Sequence, residues 1–197
     1  MTTSNNVSCV IMAGGKSSRM GTDKSWVDVS GKPMITRVID IITPQVNEII
    51  INTNSDDKKY YDLGYPVQND IIKGFKGPLS GVLVGLKNCN NDIVLSVPVD
   101  CPLLPNDLVS RMLSSITDEV DVVVARREGQ NHPVIALWKK RLVSQLEKNI
   151  NNGIYKVDLF TKNLCCVQTD FDNYDYDIFM NINTQEDINK VKNHING

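Results

Sequence analysis

Three cations, Lys16, Arg19 and Lys24, follow the pair Gly14-Gly15 within nine positions. Far down the chain Asp100 stands between Pro98 and Pro102, and near the carboxyl end Asn181 and Asn183 flank Ile182. Glycines let backbone N–H groups come against an anion, and Lys or Arg beside them neutralise it, which is the chemistry of holding a phosphate. A carboxylate on a backbone stiffened by prolines can hold Mg²⁺ bridging triphosphate oxygens, and Mn²⁺ would take the same oxygen donors. A solvent-exposed loop aspartate is the plain alternative for Asp100, and the cationic loop ahead of it weighs against that. Alternation puts the amides of Asn181 and Asn183 on one side of a strand, where they could clasp an acceptor or simply end a sheet.

Apolar runs must position these groups. Cys9-Val10-Ile11-Met12 empties without warning through Ala13 into the glycine pair, as a buried strand feeding an anion-binding loop does. Two familiar phosphate loops do not match. A Walker A loop needs glycine where Val10 stands, and the dinucleotide fingerprint needs a different glycine spacing. Glu48 to Asn54 reads as a parallel strand leaving the core at its carboxyl edge, where ligand crevices of open α/β sheets lie. Asn52 is a candidate contact there, with a turn-forming Asn bonded to its own backbone as the equal alternative. Tyr65 to Asp70 repeats the layout with a shorter strand, and Asp70 taken alone is a loop or cap residue. Gly74 to Gly81 joins a loop to an amphipathic helix carrying Val82, Leu83, Val84 and Leu86, with Pro78 in the first turn and Gly77 allowing close approach of a flat ligand. Asp92 to Val99 is a buried strand cut by Pro98, which sets Asp100 at the carboxyl edge.

The remaining stretches predict scaffold. Gly31-Lys32-Pro33 turns into a helix with Met34, Ile35, Val38, Ile39 and Ile42 on one face. Pro105 opens another, with Leu108, Met112 and Leu113 inward. Asp121 to Arg126 and His132 to Trp138 read as strands around a turn at 128–131; His132 could be a ligand or proton-shuttling residue there, but a turn histidine fixing the hairpin is the preferred reading, and it is not assigned to catalysis. A helix from Leu142 to Ile150 stops at Asn152-Gly153, a short helix spans Lys156 to Phe160, and a strand from Leu164 to Thr169 carries Cys165 and Cys166 as small buried residues. Asp170 to Asp177 has the composition of a solvated loop. Thr184 and Asp187 have the spacing of a helix start, with Ile188 and Val191 facing inward.

With 197 residues the chain fits one domain over 1–197, with a flexible terminus at 1–6. A formal charge of −2 provides no basic field for nucleic acid, so a small anion is the better partner for the local cations. Five cysteines without a CxxC pair argue against a disulfide framework or a zinc site. The polar Met1 to Asn6 stretch lacks a basic start, and no apolar run approaches the roughly 20 residues that span a bilayer, so no membrane association and a cytoplasmic location are expected.

Ala-Gly-Gly-x-x-x-Arg-Met-Gly-x-Asp-Lys, read from Ala13 to Lys24, resembles the signature loop of nucleotidyltransferases that move a nucleoside monophosphate onto a phosphorylated acceptor. Within them the chain is most similar to the MobA-like molybdenum cofactor guanylyltransferases. Further matches, in family order, are Gly31 to Pro33, Asn52 to Asn54, Gly77 to Gly81, Pro98 to Pro105, His132 to Trp138 and Asn181 to Thr184. The loop is one residue shorter than the Met-Gly-Gly-x-Asp-Lys form of some members, and Val99 stands where cysteine is often seen.

The resemblance implies a Rossmann-like α/β fold with a mostly parallel central sheet and helices on both faces. It implies transfer of GMP from GTP to molybdenum-molybdopterin with release of pyrophosphate. Arg19, Lys24 and Asp100 are then catalytic, with Asp100 on the metal. Met12, Ala13, Gly14, Gly15, Lys24, Asn52, Asp70, Gly77, Pro78 and Asp100 hold GTP, the N–H groups of Ala13, Gly14 and Gly15 cradling its phosphates. Arg19, Asn181 and Asn183 hold the acceptor. Transient contacts with other cofactor-biosynthesis proteins or molybdoenzyme chaperones fit that role. The rivals are a cytidylyltransferase on the same pterin, a transferase with a sugar or alditol phosphate acceptor, and a non-catalytic GTP-binding adaptor.

Overall fold

β-Branched runs flanked by helices of 3.6-residue period build one sheet with helices on both sides. The structure, a computed structural model, describes residues 6–14, 23–72, 74 and 77–196. Gly15, Lys16 and Arg19 of the cationic loop, and residues 1–5 of the amino-terminal stretch, lie outside the described residues. In chain order the first half contains β1 (Val7–Met12), the hairpin β2 (Asp28–Val29) and β3 (Lys32–Pro33), α1 (Met34–Ile42), β4 (Glu48–Asn52), β5 (Val67–Gln68), α2 (Pro78–Asn88) and β6 (Ile93–Pro98). The second half contains α3 (Leu108–Leu113), β7 (Val122–Arg127), β8 (Gln130–Lys139), α4 (Val143–Asn151), α5 (Val157–Thr161), β9 (Cys166–Asp170) and α6 (Gln185–Asn196).

The strand order is β5-β4-β1-β6-β8-β7-β9. β5, β4, β1 and β6 run parallel, β7 and β9 run parallel, and β8 is antiparallel to both its neighbours. The sheet is therefore mostly parallel, as the resemblance implies. One face packs Cys9 and Ile11 of β1 against Ile35, Val38 and Ile42 of α1 and Leu108 and Met112 of α3. The other packs Val10 against Leu83 and Leu86 of α2, with Leu146 of α4 and Phe160 of α5. All five apolar residues expected on the inner face of α1 are buried, each stabilising the fold by about 1.5–3 kcal/mol.

Four expectations need correction. α2 is not amphipathic: Leu79 to Leu86 are all buried, because the helix lies between the sheet and α4. Gly81 and Gly85 permit that approach, since a Cβ on Gly81 would sit 2.7 Å from Asn52 Oδ1 and one on Gly85 2.6 Å from Val10 Cγ1. α3 starts at Leu108 rather than Pro105, whose carbonyl accepts from Leu108 N at 3.2 Å and from Gln45 Nε2 at 3.1 Å. Cys165 is exposed and Cys166 half-buried, because β9 is the edge strand and has a neighbour on one side only. Within the acidic run, Phe171 is fully buried, edge-on to Phe179 at 5.3 Å and beneath the Arg111 guanidinium at 4.3 Å.

A third, smaller core joins Val29 of the hairpin, Met34, Ile182, and Ile188 and Val191 of α6. It docks the carboxyl-terminal helix beside the sheet's carboxyl edge. Among the described residues no helix is long and apolar enough to cross a membrane.

Candidate active site

Parallel strands of matched register end together. Met12 of β1 is level with Asn52 of β4 and Pro98 of β6. The ladder continues one step past those ends, with Ala13 N donating to Asn52 O at 2.8 Å and Val99 N to Met12 O at 3.0 Å. Pro98 interrupts nothing, because the pairing of β6 with β8 has already ended at Ser96 and Ala136. Above this edge opens a cleft of about 900 Å³.

Met12, Ala13, Gly14, Lys24, Asn52, Asp70, Gly77, Pro78, Asp100, Asn181 and Asn183 all line that cleft. Gly15 and Arg19 lie outside the described residues. The N–H of Ala13 is engaged by Asn52, so of the three expected phosphate-facing amides it is committed to the sheet instead. Gly14 does not adopt a left-handed φ, and a Cβ there would meet nothing within 4 Å. Its value is the open space it leaves. Gly77 differs: its φ of 72° favours glycine, and a Cβ would sit 3.2 Å from Tyr155 O.

Lys24 heads a short 3₁₀ turn, Lys24–Trp26, whose N-cap is Asp23. Its Nζ donates to Asp100 Oδ2 at 3.0 Å and to Asn183 Oδ1 at 2.6 Å. The pair is partly buried, with side-chain exposures of 21% and 23%, so its attraction is screened less than that of a surface pair. Asp100 is held from behind as well, because its carbonyl accepts from Ile182 N at 2.9 Å. That bond lies between the residues Asn181 and Asn183. No strand forms there, contrary to the alternation reading, since Ile182 is pinned by this bond and by burial in the third core.

Asn181 accepts from the Cys101 thiol at 3.1 Å. Burial and the neighbouring Asp100 push that thiol well above its ordinary range, so it stays protonated and donates. Across the cleft, Asn52 Nδ2 donates to Asp70 Oδ1 at 3.1 Å and Asn54 Nδ2 to Asp70 Oδ2 at 2.8 Å. The Asp70 N–H returns a bond to Asn54 Oδ1 at 2.9 Å. Neither a self-capping Asn52 nor a free loop aspartate is what forms; the two are joined to each other.

Other lining residues escaped the sequence reading. Asn54 stands one alternation beyond Asn52. Gln130, Asn131 and His132 come from β8. His132 sits in the strand and not in the turn, which is Glu128-Gly129 with φ of 49° and 75°. Its ring lies 4.7 Å from Phe179, and burial lowers its pKa. The register explains its place: Val124 pairs with Ala136 but Ala125 with His132, so Pro133, Val134 and Ile135 bulge out toward the cleft. Buried Ser96 stabilises the bulge, donating to Val134 O at 2.7 Å and accepting from Trp138 Nε1 at 2.9 Å.

The mostly parallel sheet, with helices on both faces and a cleft at its carboxyl edge, has the Rossmann-like nucleotidyltransferase fold. The structure of molybdopterin-guanine dinucleotide biosynthesis protein A from Archaeoglobus fulgidus matches with a TM-score of 0.80 at 20% identity, covering 96% of this chain and 98% of that one. A putative protein from Aquifex aeolicus matches with a TM-score of 0.76 at 27% identity, over 91% of this chain and 94% of that one. Residues 9–161 match the family described as MobA-like NTP transferase domain, and the chain belongs to that family. It is 42% identical to the molybdenum cofactor guanylyltransferase of Shewanella woodyi over 91% of this chain and 92% of that protein. The protein of the same name from Vibrio vulnificus is 39% identical over 92% of each.

Proposed function

We propose that this chain transfers GMP from GTP to the terminal phosphate of molybdenum-bearing molybdopterin, with pyrophosphate leaving. The observation that carries the reading is that Gly14, Lys24, Asp100 and Asn183 meet over one cleft, in a chain whose relatives bear that activity's name.

Two anions must approach each other, and unit charges 4 Å apart repel by about 4 kcal/mol at an effective dielectric near 20. Lys24 offsets this on the α-phosphate and leaving group, and Arg19 does so on the acceptor side. The open space at Gly14 admits the phosphates, and Gly15 is assigned to them as well. Asp70, steadied by Asn52 and Asn54, accepts from the guanine N1–H and exocyclic amine, while Gly77 and Pro78 border the ring. Asn181 and Asn183 receive the acceptor.

Asp100 fits a Mg²⁺ or Mn²⁺ ion in this role. One of its oxygens is paired with Lys24, and the other makes no hydrogen bond among the described residues. A single carboxylate of this kind suits an ion whose other ligands are phosphate oxygens and water. When bound, the ion orients the triphosphate and draws charge from the leaving pyrophosphate. No protein nucleophile is required, since positioning alone can lower such a barrier by roughly 7–11 kcal/mol. Buried, protonated Cys101 fits that description. The reaction is assigned to the cytoplasm, with the pterin passed on through transient contacts with cofactor-biosynthesis proteins or molybdoenzyme chaperones.

Pyrophosphate release by the purified protein, assayed with GTP, CTP or ATP and with or without molybdopterin, tests the reading. Release that needs both GTP and molybdopterin is expected. Preference for CTP, use of a sugar phosphate as acceptor, or binding without turnover would contradict it.

A further inference from the structure

Tyr60 does not line the cleft, yet its hydroxyl reaches the turn that presents Lys24. It belongs to the 3₁₀ helix Lys58–Leu63 and is fully buried, its ring 5.0 Å from that of Trp26. The hydroxyl donates to Asp23 Oδ2 at 2.7 Å and lies 2.7 Å from Ser25 Oγ. Asp23 uses its other oxygen to accept from Ser25 N at 3.0 Å, which caps the turn Lys24–Trp26.

One phenol therefore ties the base of Lys24 to the 3₁₀ helix Lys58–Leu63 that follows β4. The tie spans 37 positions of sequence between Tyr60 and Asp23. Lys side chains carry several rotatable bonds, so a lysine aimed at a developing charge depends on the rigidity of its backbone. Packing alone does not require a hydroxyl here; phenylalanine would fill the same space. A buried hydroxyl without partners would be destabilising, and this one is partnered by the groups that shape the turn.

We infer that Tyr60 is a positioning residue for the transfer reaction, acting through Asp23 to fix the turn from which Lys24 reaches Asp100 and Asn183. The role rests on the reaction proposed above. Burial pushes the phenol well above its usual range, so it keeps its proton and remains a donor across neutral pH.

A double-mutant cycle of wild type, Tyr60→Phe, Lys24→Ala and the double variant, read as GTP-dependent pyrophosphate release, tests it. Tyr60→Phe should lower kcat about tenfold with KM for GTP changed less than about twofold. In the Lys24→Ala background the same change should alter kcat by less than about twofold, because the group it positions is gone. Asp23→Asn should give the same pattern and serves in its place if Tyr60→Phe does not fold. A normal kcat in Tyr60→Phe, a loss confined to KM, or an equal loss with and without Lys24 would overturn the relay. A wild type without GTP turnover would bring down the assigned reaction and the relay with it, whereas a working wild type with additive variants would bring down the relay alone.

Discussion

On the two flanks of β6 the cleft holds its polar side chains in different ways. Toward β1, β4 and β5, Asn52, Asn54 and Asp70 are locked by three mutual hydrogen bonds of 2.8–3.1 Å. Toward β8, Gln130 and Asn131 are exposed, and their side chains make no hydrogen bond among the described residues. A locked carboxylate rejects a wrong partner strongly, because a mismatch leaves oriented polar groups unpaired. Loose amides adapt. The base flank should therefore set selectivity, and the β8 flank should tolerate variation in the acceptor. Between them stand Lys24, Asp100 and Asn183, joined to one another and proposed as the seam where both substrates meet.

Breaking the seam should have the largest effect. Lys24→Ala and Asp100→Ala are each expected to lower kcat at least about 100-fold, with thermal unfolding little changed because the pair is only partly buried. Steady-state kinetics beside a melting curve checks both halves of that statement. Near-normal turnover in either variant would remove its residue from the mechanism.

Asp70→Asn comes next. It swaps one charged acceptor for a donor facing guanine's donors, which should raise KM for GTP by roughly 10–100-fold while acceptor KM stays put. Competition among nucleoside triphosphates would show whether selectivity falls with it. Unchanged preference for GTP would mean that the locked flank does not read the base.

Gly81→Ala probes the same flank through packing. The new Cβ would meet Asn52 Oδ1 and Met12 at 2.7 Å, so α2 must shift, at a cost of about 1–3 kcal/mol in denaturant unfolding. KM for GTP should rise more than KM for the acceptor. Smallest of all, Gln130→Ala should change acceptor KM by less than about fivefold and leave GTP kinetics alone, as expected for an exposed amide.

The same contrast decides what was legible in the sequence. β1, β4 and β6 are parallel, buried and β-branched, and each ends in a residue of different chemistry, so Gly14, Asn52 and Asp100 could be placed on one edge from pattern alone. The capping of α6 was equally local: Asp187 N donates to Thr184 Oγ1 at 3.2 Å and Thr184 N to Asp187 Oδ2 at 2.8 Å. His132 could not be placed that way. Its position depends on a register break between Val124 and Ala125, which exists only once β7 and β8 are paired. Tyr60 is a second case, one of two adjacent tyrosines in a charged stretch until the fold brings Asp23 to its hydroxyl. The burial of α2 on all sides is a third, since the packing of α4 over it has no local signature.

The most direct test is a crystal structure of the protein with GTP and Mg²⁺. Guanine should lie with its N1–H edge on Asp70, the ion on Asp100, and Lys24 Nζ within reach of the α-phosphate. Guanine seated on the β8 flank beside His132, or an ion bound away from Asp100, would contradict the assignment of the two flanks and of the seam between them.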